Sequence, residues 1–292
     1  MRIFTLELNN DLKGIEQRKR YIESLIARLK RPDLVVLPEL SLCSYMGSDA
    51  ILQYADENSM QTSKWAMEIA EKYNTFIAVG FLEKYEGDFY NSYLIADKNK
   101  VYGIVRKSEG ESYIFKRGNF NNIIATPFGE VAVAICYDSR RRLFYEHIKD
   151  GEISLILFPH GSPSNPKKLE AERKTNDFFC NEYKEAFGVP VCYVNSVGEM
   201  GFMLGRTGKM MLEAGFKLNG LSEIYCNSGK PIKSDIQEAI GLDVELISKK
   251  RTKDIKFYGD DIIKGNLLFR KFILKPDTRA GIHFYEKMKD SK

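Results

Sequence analysis

The sequence, 292 residues long, is poor in histidine and tryptophan and has no paired cysteines. Its three histidines, His147, His160 and His283, sit in no recognisable partner motif, so a Cys–His protease arrangement has little to rest on. The five cysteines, Cys43, Cys136, Cys180, Cys192 and Cys226, are scattered. Without a C-x-x-C pair or a Cys/His cluster, zinc ligation lacks support. No apolar run is long enough to span a bilayer. The opening Met1-Arg2-Ile3-Phe4-Thr5-Leu6-Glu7-Leu8 alternates like a strand and lacks the apolar centre of a signal peptide. An odd cysteine count without an export signal leads us to expect a reducing, cytoplasmic setting. The net charge of +4 calls for neither nucleic acid nor an anionic membrane. No internal repeat or low-complexity linker divides the chain. Hydrophobic content of 43% and charged content of 29% are those of a soluble globular protein.

Three strand ends stand out against this background. Val131-Ala132-Val133-Ala134-Ile135 is an unbroken run of small and β-branched residues leading into Cys136-Tyr137-Asp138. Such a run reads as a strand buried on both faces, with Cys136 at its C-terminal end. Ligand crevices of α/β folds lie at such ends. Asp33 to Leu37 is a second apolar strand, closing on Pro38-Glu39. Val101 to Val105 is a third, closing on Arg106-Lys107. Taken singly, each of these residues reads as an ordinary core thiol or a solvated charge. Together they make a nucleophile, a base and a cation at three strand ends of one α/β chain.

The remaining pattern alternates strands and helices. Ile15 to Leu29 has helical spacing, and residues 60–73 form a second helix with Trp65, Ile69 and Tyr73 on one face. Strands are expected at residues 76–81, 90–96, 153–158 and 189–195, at Met210–Leu212 within Gly-rich turns, and at Asp243–Ile247. Helices are expected at residues 139–149 and from the loop His160–Pro166 to Phe187. Residues 108–122 read as a loop. Hairpins mixed with crossovers indicate an α/β fold with mixed sheets. Leu267–Leu274 reads as one more strand.

These motifs resemble the nitrilase (carbon–nitrogen hydrolase) superfamily. Pro38-Glu39 matches its catalytic Glu motif. Lys107, following Tyr90-Asn91-Ser92 and a short strand, matches its catalytic Lys. Glu111, Phe115 and Gly118 match its E-x-x-x-F-x-x-G motif, and Ile135-Cys136-Tyr137-Asp138 its nucleophile motif. Phe158-Pro159, Asn195-Ser196-Val197-Gly198 and Phe202-x-x-Gly205-x-Thr207 follow in the family's order, so that the likeness covers residues 1 to 247. The departures are Ser108-Glu109-Gly110 in place of the common His-Leu after the Lys, Arg140-Arg141-Arg142-Leu143-Phe144 in place of an early Pro-Glu, and Thr207 in place of a common Ser. The resemblance implies a four-layer α-β-β-α sandwich of two mixed sheets. It assigns residues 1–248 to the hydrolase domain. Residues 249–292 are left as a C-terminal arm, packed on that domain or across a homodimer.

The implied chemistry needs neither metal nor organic cofactor. Glu39 takes the Cys136 proton, Lys107 and a backbone N–H near Tyr137 meet the developing oxyanion, and Glu111 orients Lys107 or assists the leaving amine. A small amide or carbamoyl compound is the expected substrate. Relatives that hydrolyse nitriles carry Cys-Trp-Glu, whereas Cys136-Tyr137-Asp138 looks like the amidase branches. Tyr45 and Tyr137 are candidate pocket residues, and Arg140 a candidate for holding a substrate carboxylate. At least one member of the run Arg140–Arg142 is expected in a structural ion pair. Cys43 is expected to pack its loop. Nitrile hydrolysis, acyl transfer and a catalytically silent binding protein are the alternatives.

Overall fold

The structure is a computed structural model that describes residues 1–289. Residues 290–292, the end of the expected arm, lie outside the described residues. The strands are β1 (Arg2–Leu6), β2 (Leu34–Val36), β3 (Asp56–Glu57), β4 (Phe76–Tyr85), β5 (Asp88–Ala96), β6 (Val101–Arg106), β7 (Ile123–Thr126) and β8 (Gly129–Val133). They continue as β9 (Ile153–Pro159), β10 (Pro163–Ser164), β11 (Val191–Val194), β12 (Val197–Glu199), β13 (Lys217–Asn219), β14 (Glu223–Tyr225), β15 (Lys230–Ile232) and β16 (Ala239–Asp243). The helices are α1 (Ile15–Ile26), α2 (Met60–Tyr73), α3 (Arg142–Ile148), α4 (Leu169–Phe187), α5 (Gly205–Glu213), α6 (Leu267–Phe269) and α7 (Lys275–Lys289). A π-helical turn at Arg270–Leu274 joins the last two.

Two mixed sheets form the centre, in the orders β15-β16-β1-β2-β4-β5-β6 and β14-β11-β9-β8-β7; a small third sheet, β10-β13-β12, was not expected. One apolar layer lies between the large sheets, where Ile3, Val36, Ala78 and Ile95 of the first meet Val131, Val133, Leu155 and Cys192 of the second. On the outer face of the first sheet, Val35, Ile77 and Leu94 meet Ile22 and Leu25 of α1 and Trp65 and Ile69 of α2. On the outer face of the second, Ala132, Ile156 and Phe158 meet Phe144 of α3 and Phe179 and Tyr183 of α4. This is the α-β-β-α sandwich. Strands buried on both faces cannot alternate in polarity, which is why β2, β8 and β9 read as continuous apolar runs.

Helix boundaries follow local chemistry. The Asp56 carboxylate accepts the N–H groups of Gln61 and Thr62 at the start of α2. Gly188, at φ 64°, ends α4 in the left-handed conformation that glycine adopts without steric cost.

Within the sheets, β1, β2 and β4 run parallel, as do β8, β9 and β11, while β5 returns antiparallel to β4 and β6, antiparallel to β5, runs again with β2 and β4. The C-terminal ends of β2, β6, β8, β9 and β11 therefore carry the residues of the site.

Several expectations are corrected. Residues 205–213 form helix α5 where a strand at Met210–Leu212 was expected. The last core strand is Ala239–Asp243, ahead of the expected Asp243–Ile247. Residues 267–274 are helical, not extended. The helix expected at 139–149 begins only at Arg142, because residues 136–140 form a 3-10 turn. Strands β7, β13, β14 and β15 are too short to show a period.

Beyond Ser248 the chain packs on itself. Ile255 and Ile262 join the α3–α4 layer, and Tyr285 and Met288 of α7 are buried against the loops around Tyr45 and Phe115. Leu267, Leu268 and Phe272 stay exposed.

Candidate active site

Glu39 follows β2 and is 1% exposed; Leu40 next to it takes a positive φ of 50°. Its Oε1 accepts from Lys107 Nζ at 2.6 Å and from Asn91 Nδ2 at 2.6 Å, and its Oε2 accepts from Gly161 N at 2.6 Å. A Cβ at Gly161 would lie 2.9 Å from that Oε2 and 2.7 Å from the Tyr45 ring, so only glycine lets the backbone approach the carboxylate. Lys107 leaves β6 and donates to Glu111 as well, at 3.0 and 2.8 Å. Tyr45 Oη donates to Glu111 Oε1 at 3.0 Å. One ammonium is thus enclosed by two carboxylates.

Cys136 sits two residues past the end of the β8–β9 pairing, where Ala134 N donates to Leu157 O. It takes a positive φ of 52°, a region a side-chain-bearing residue seldom occupies, at the start of the 3-10 turn. The chain turns sharply there, leaving the thiol buried beside the Glu–Lys–Glu group. Asp138 secures the turn, accepting Ser108 N and Glu109 N at 2.7 Å each. The strand that carries the cysteine is thereby tied to the loop that carries the lysine.

Burial sets the electrostatics. It raises Glu39, against the pull of Lys107. It works against the charge on Lys107, but Cys136, Glu111 and Glu39 together hold that amine well above its ordinary value. Burial and the neighbouring Glu39 push the Cys136 thiol up to about 12, with Lys107 acting in the opposite sense. At neutral pH the resting group is a protonated thiol beside an ammonium. Among the described residues, no group of three or more His, Cys, Asp or Glu side chains is placed to hold a metal ion.

Glu39, Lys107 and Glu111 are therefore in direct contact, with Tyr45 bonded to Glu111 and Cys136 close by. The other two expected pocket residues both approach one buried carboxylate. Arg140 Nη2 lies 3.3 Å from the buried Asp261, and Tyr137 Oη lies 3.4 Å from the same carboxylate. The arginine run does contain structural ion pairs: Arg141 bonds Glu109, and Arg140 bonds Asp261. Cys43 is buried and packs its loop, as expected. Sequence reasoning missed Asn91, His160, Gly161, Ser162 and Asn195. Ser162 Oγ lies 3.2 Å from Cys136 Sγ, and Asn195 holds the Ser162 backbone through both its N–H and its carbonyl. Asn91, within β5, and Asn195, after β11, stand in the motifs Tyr90-Asn91-Ser92 and Asn195-Ser196-Val197-Gly198, and His160, Gly161 and Ser162 follow β9, which runs parallel to β8 and ends beside it.

A two-sheet sandwich with a buried Glu, Lys and Cys at its strand ends defines a class, the nitrilase superfamily fold. The family model described as carbon-nitrogen hydrolase matches residues 8–235, and the chain belongs to that family. A probable nitrilase of Schizosaccharomyces pombe is 29% identical over 134 residues, covering 43% of this chain and 49% of the relative. The match thus spans about half the length of that curated relative. The carbon-nitrogen hydrolase of Helicobacter pylori superposes with a TM-score of 0.67 at 18% identity, covering 84% of this chain and 89% of the other. An amidase from a Nesterenkonia species superposes with a TM-score of 0.59 at 16% identity, covering 84% and 90%. Among the described residues, no helix is long and apolar enough to cross a membrane.

Proposed function

We propose that the protein hydrolyses a non-peptide C–N bond of a small amide or carbamoyl compound through a thioester on Cys136. The contact of Lys107 Nζ with both Glu39 and Glu111, beside a buried cysteine, is the observation that carries this reading. Glu39 takes the Sγ proton, and the thiolate attacks the carbonyl carbon. Lys107 Nζ and the Tyr137 N–H meet the oxyanion, an interaction whose loss costs about 100- to 1,000-fold in rate. The C–N bond breaks, and the departing amine or ammonia takes its proton from Glu39. Glu39 then removes a proton from water, which attacks the thioester carbon; the C–S bond breaks, the acid is freed, and Glu39 returns the proton to Sγ. Glu111 keeps Lys107 oriented. No cofactor enters the scheme. Tyr45, Tyr137 and Arg140 are proposed to meet the substrate, with Asp261 holding Arg140 in place.

Amide is favoured over nitrile by Tyr137-Asp138 after the cysteine. A screen of small amides, carbamoyl amines, carbamoyl amino acids and nitriles for ammonia release tests the reading. Turnover of an amide or carbamoyl compound that disappears in Cys136→Ala supports it; turnover of nitriles alone contradicts it.

We further propose a homodimer in which the exposed Leu267, Leu268 and Phe272 meet a second copy. Sedimentation should give a dimer for the full chain and a monomer after Leu268→Glu with Phe272→Glu. A full-length monomer at micromolar concentration rules the dimer out.

A further inference from the structure

The loop after β9 holds both partners of the chemistry. Gly161 N binds Glu39, and the two flanking side chains, His160 and Ser162, run from the thiol back to its own backbone. Ser162 Oγ is 3.2 Å from Cys136 Sγ and 2.9 Å from His160 Nδ1. His160 Nε2 is 3.3 Å from Ser139 Oγ, which is 2.6 Å from the Cys136 carbonyl oxygen. The four contacts close a ring, and one end of it has a fixed polarity. A carbonyl oxygen only accepts, so Ser139 spends its single hydroxyl proton there. Ser139 must then accept from His160, which places the imidazole proton on Nε2.

His160 is fully buried, 4.4 Å from the Tyr193 ring, and Lys107 and Arg140 lie near enough to oppose a positive charge on it. It therefore carries one proton, and Nδ1 is bare. Ser162 donates to Nδ1, and its oxygen is left to accept from the Cys136 S–H.

We propose that His160 and Ser162 form a one-way hydrogen-bond relay that holds the resting Cys136 thiol protonated, with its hydrogen turned to Ser162. The relay cannot act as the base. A proton passed along it would stop on a buried imidazole facing Lys107 and Arg140, because the far end is a carbonyl. Its effect is to hold the nucleophile in reserve until the S–H turns to Glu39. Ser162 touches the reacting sulfur; His160 is a positioning residue that acts through it. The groups that face the thiol are Glu39, Lys107, Glu111, Tyr45 and Tyr193. None of them replaces Ser162 as its hydrogen-bond acceptor in the resting state.

The proposal rests on Cys136 as nucleophile only for its consequence, and its test reads the thiol itself, with or without turnover. The infrared S–H stretch of Cys136 is isolated by subtracting the spectrum of Cys136→Ala. The wild-type band should lie at the low frequency of a hydrogen-bonded thiol. It should move to the free position in Ser162→Ala and also in His160→Leu, where Ser162 is still present but free to turn its own hydrogen to sulfur. His160→Asn, which keeps an acceptor near the Nδ1 position, should retain the wild-type band.

With the relay cut, alkylation of Cys136 by iodoacetamide at pH 8 should quicken by about threefold or more in His160→Leu, the equivalent of half a pK unit, and stay at the wild-type rate in His160→Asn. A free S–H band in the wild type, or a band unmoved in His160→Leu, overturns the wiring. Unchanged or slower alkylation in His160→Leu overturns the holding role. Loss of amide turnover alone would bear on the proposed function and not on the relay.

Discussion

The Asp138 carboxylate accepts the backbone N–H of Ser108 at 2.7 Å, joining the turn after the cysteine to the residue after the lysine. A second bond of equal length, from Glu109 N, makes the grip two-pronged. Burial raises this carboxyl to about 8 against the pull of those two N–H groups and Lys107. Asp138→Asn keeps the size but offers one acceptor and turns an NH2 on the other N–H. The expected result is a loss of about 1–3 kcal/mol in stability. Turnover should fall because Lys107 loses its anchor. Thermal melts and rates of the same preparation check both.

Lys107→Gln removes the cation between two buried carboxylates. Glu39 is already raised by burial, and without Lys107 it rises further. A raised carboxyl pKa gives stability that is fully present below the unfolded value and lost as pH rises through the folded one. The variant should therefore be most destabilised at neutral and alkaline pH, by about 3–5 kcal/mol. It should approach the wild type near pH 4. Melting temperatures from pH 4 to pH 8 test this; a deficit independent of pH contradicts it.

The C-terminal helix has two acidic anchors. Asp88 accepts from Tyr285 Oη and bonds Lys116 and Lys289; Asp277 on α7 accepts from Tyr113 Oη, Arg206 N and Thr207 N. Burial alone would raise both, but these bonds reverse it and hold them below the usual carboxylate range. A depressed carboxyl pKa gives stability above the unfolded value, about 3.9, that is lost as pH falls through the folded one. Hydrogen exchange in residues 275–289 should therefore quicken selectively below about pH 4. Asp277→Asn should show the same loosening at pH 6.

Sequence reading succeeded where local pattern and three-dimensional position coincide. Glu39, Lys107 and Cys136 each terminate an apolar strand, and parallel strands place such ends at one edge. His160, Ser162 and Asn195 stand at the same edge, but their relation to Cys136 depends on β8, β9 and β11 being neighbours, and that pairing leaves no mark on the chain. The segment Leu267–Leu274 is apolar enough to read as a strand. Asn266 caps it instead, accepting from Leu268 N and Phe269 N, and a helix follows. Met210–Leu212 was misread because three apolar residues in a Gly-rich stretch show no period. The ion pair of Arg140 with Asp261 joins residues 121 apart in sequence, and no local pattern marks that partner.

The central claim is that Cys136 carries the acyl group during turnover. It is tested most directly by acid-quenching the protein during reaction with an amide that it turns over, and measuring the mass of the peptide that contains Cys136. The account predicts an added acyl mass on that peptide in the wild type, absent from Cys136→Ser, which should also release no ammonia. Full turnover by Cys136→Ser, or an acyl group found on Cys43, Cys180, Cys192 or Cys226 instead, would contradict it.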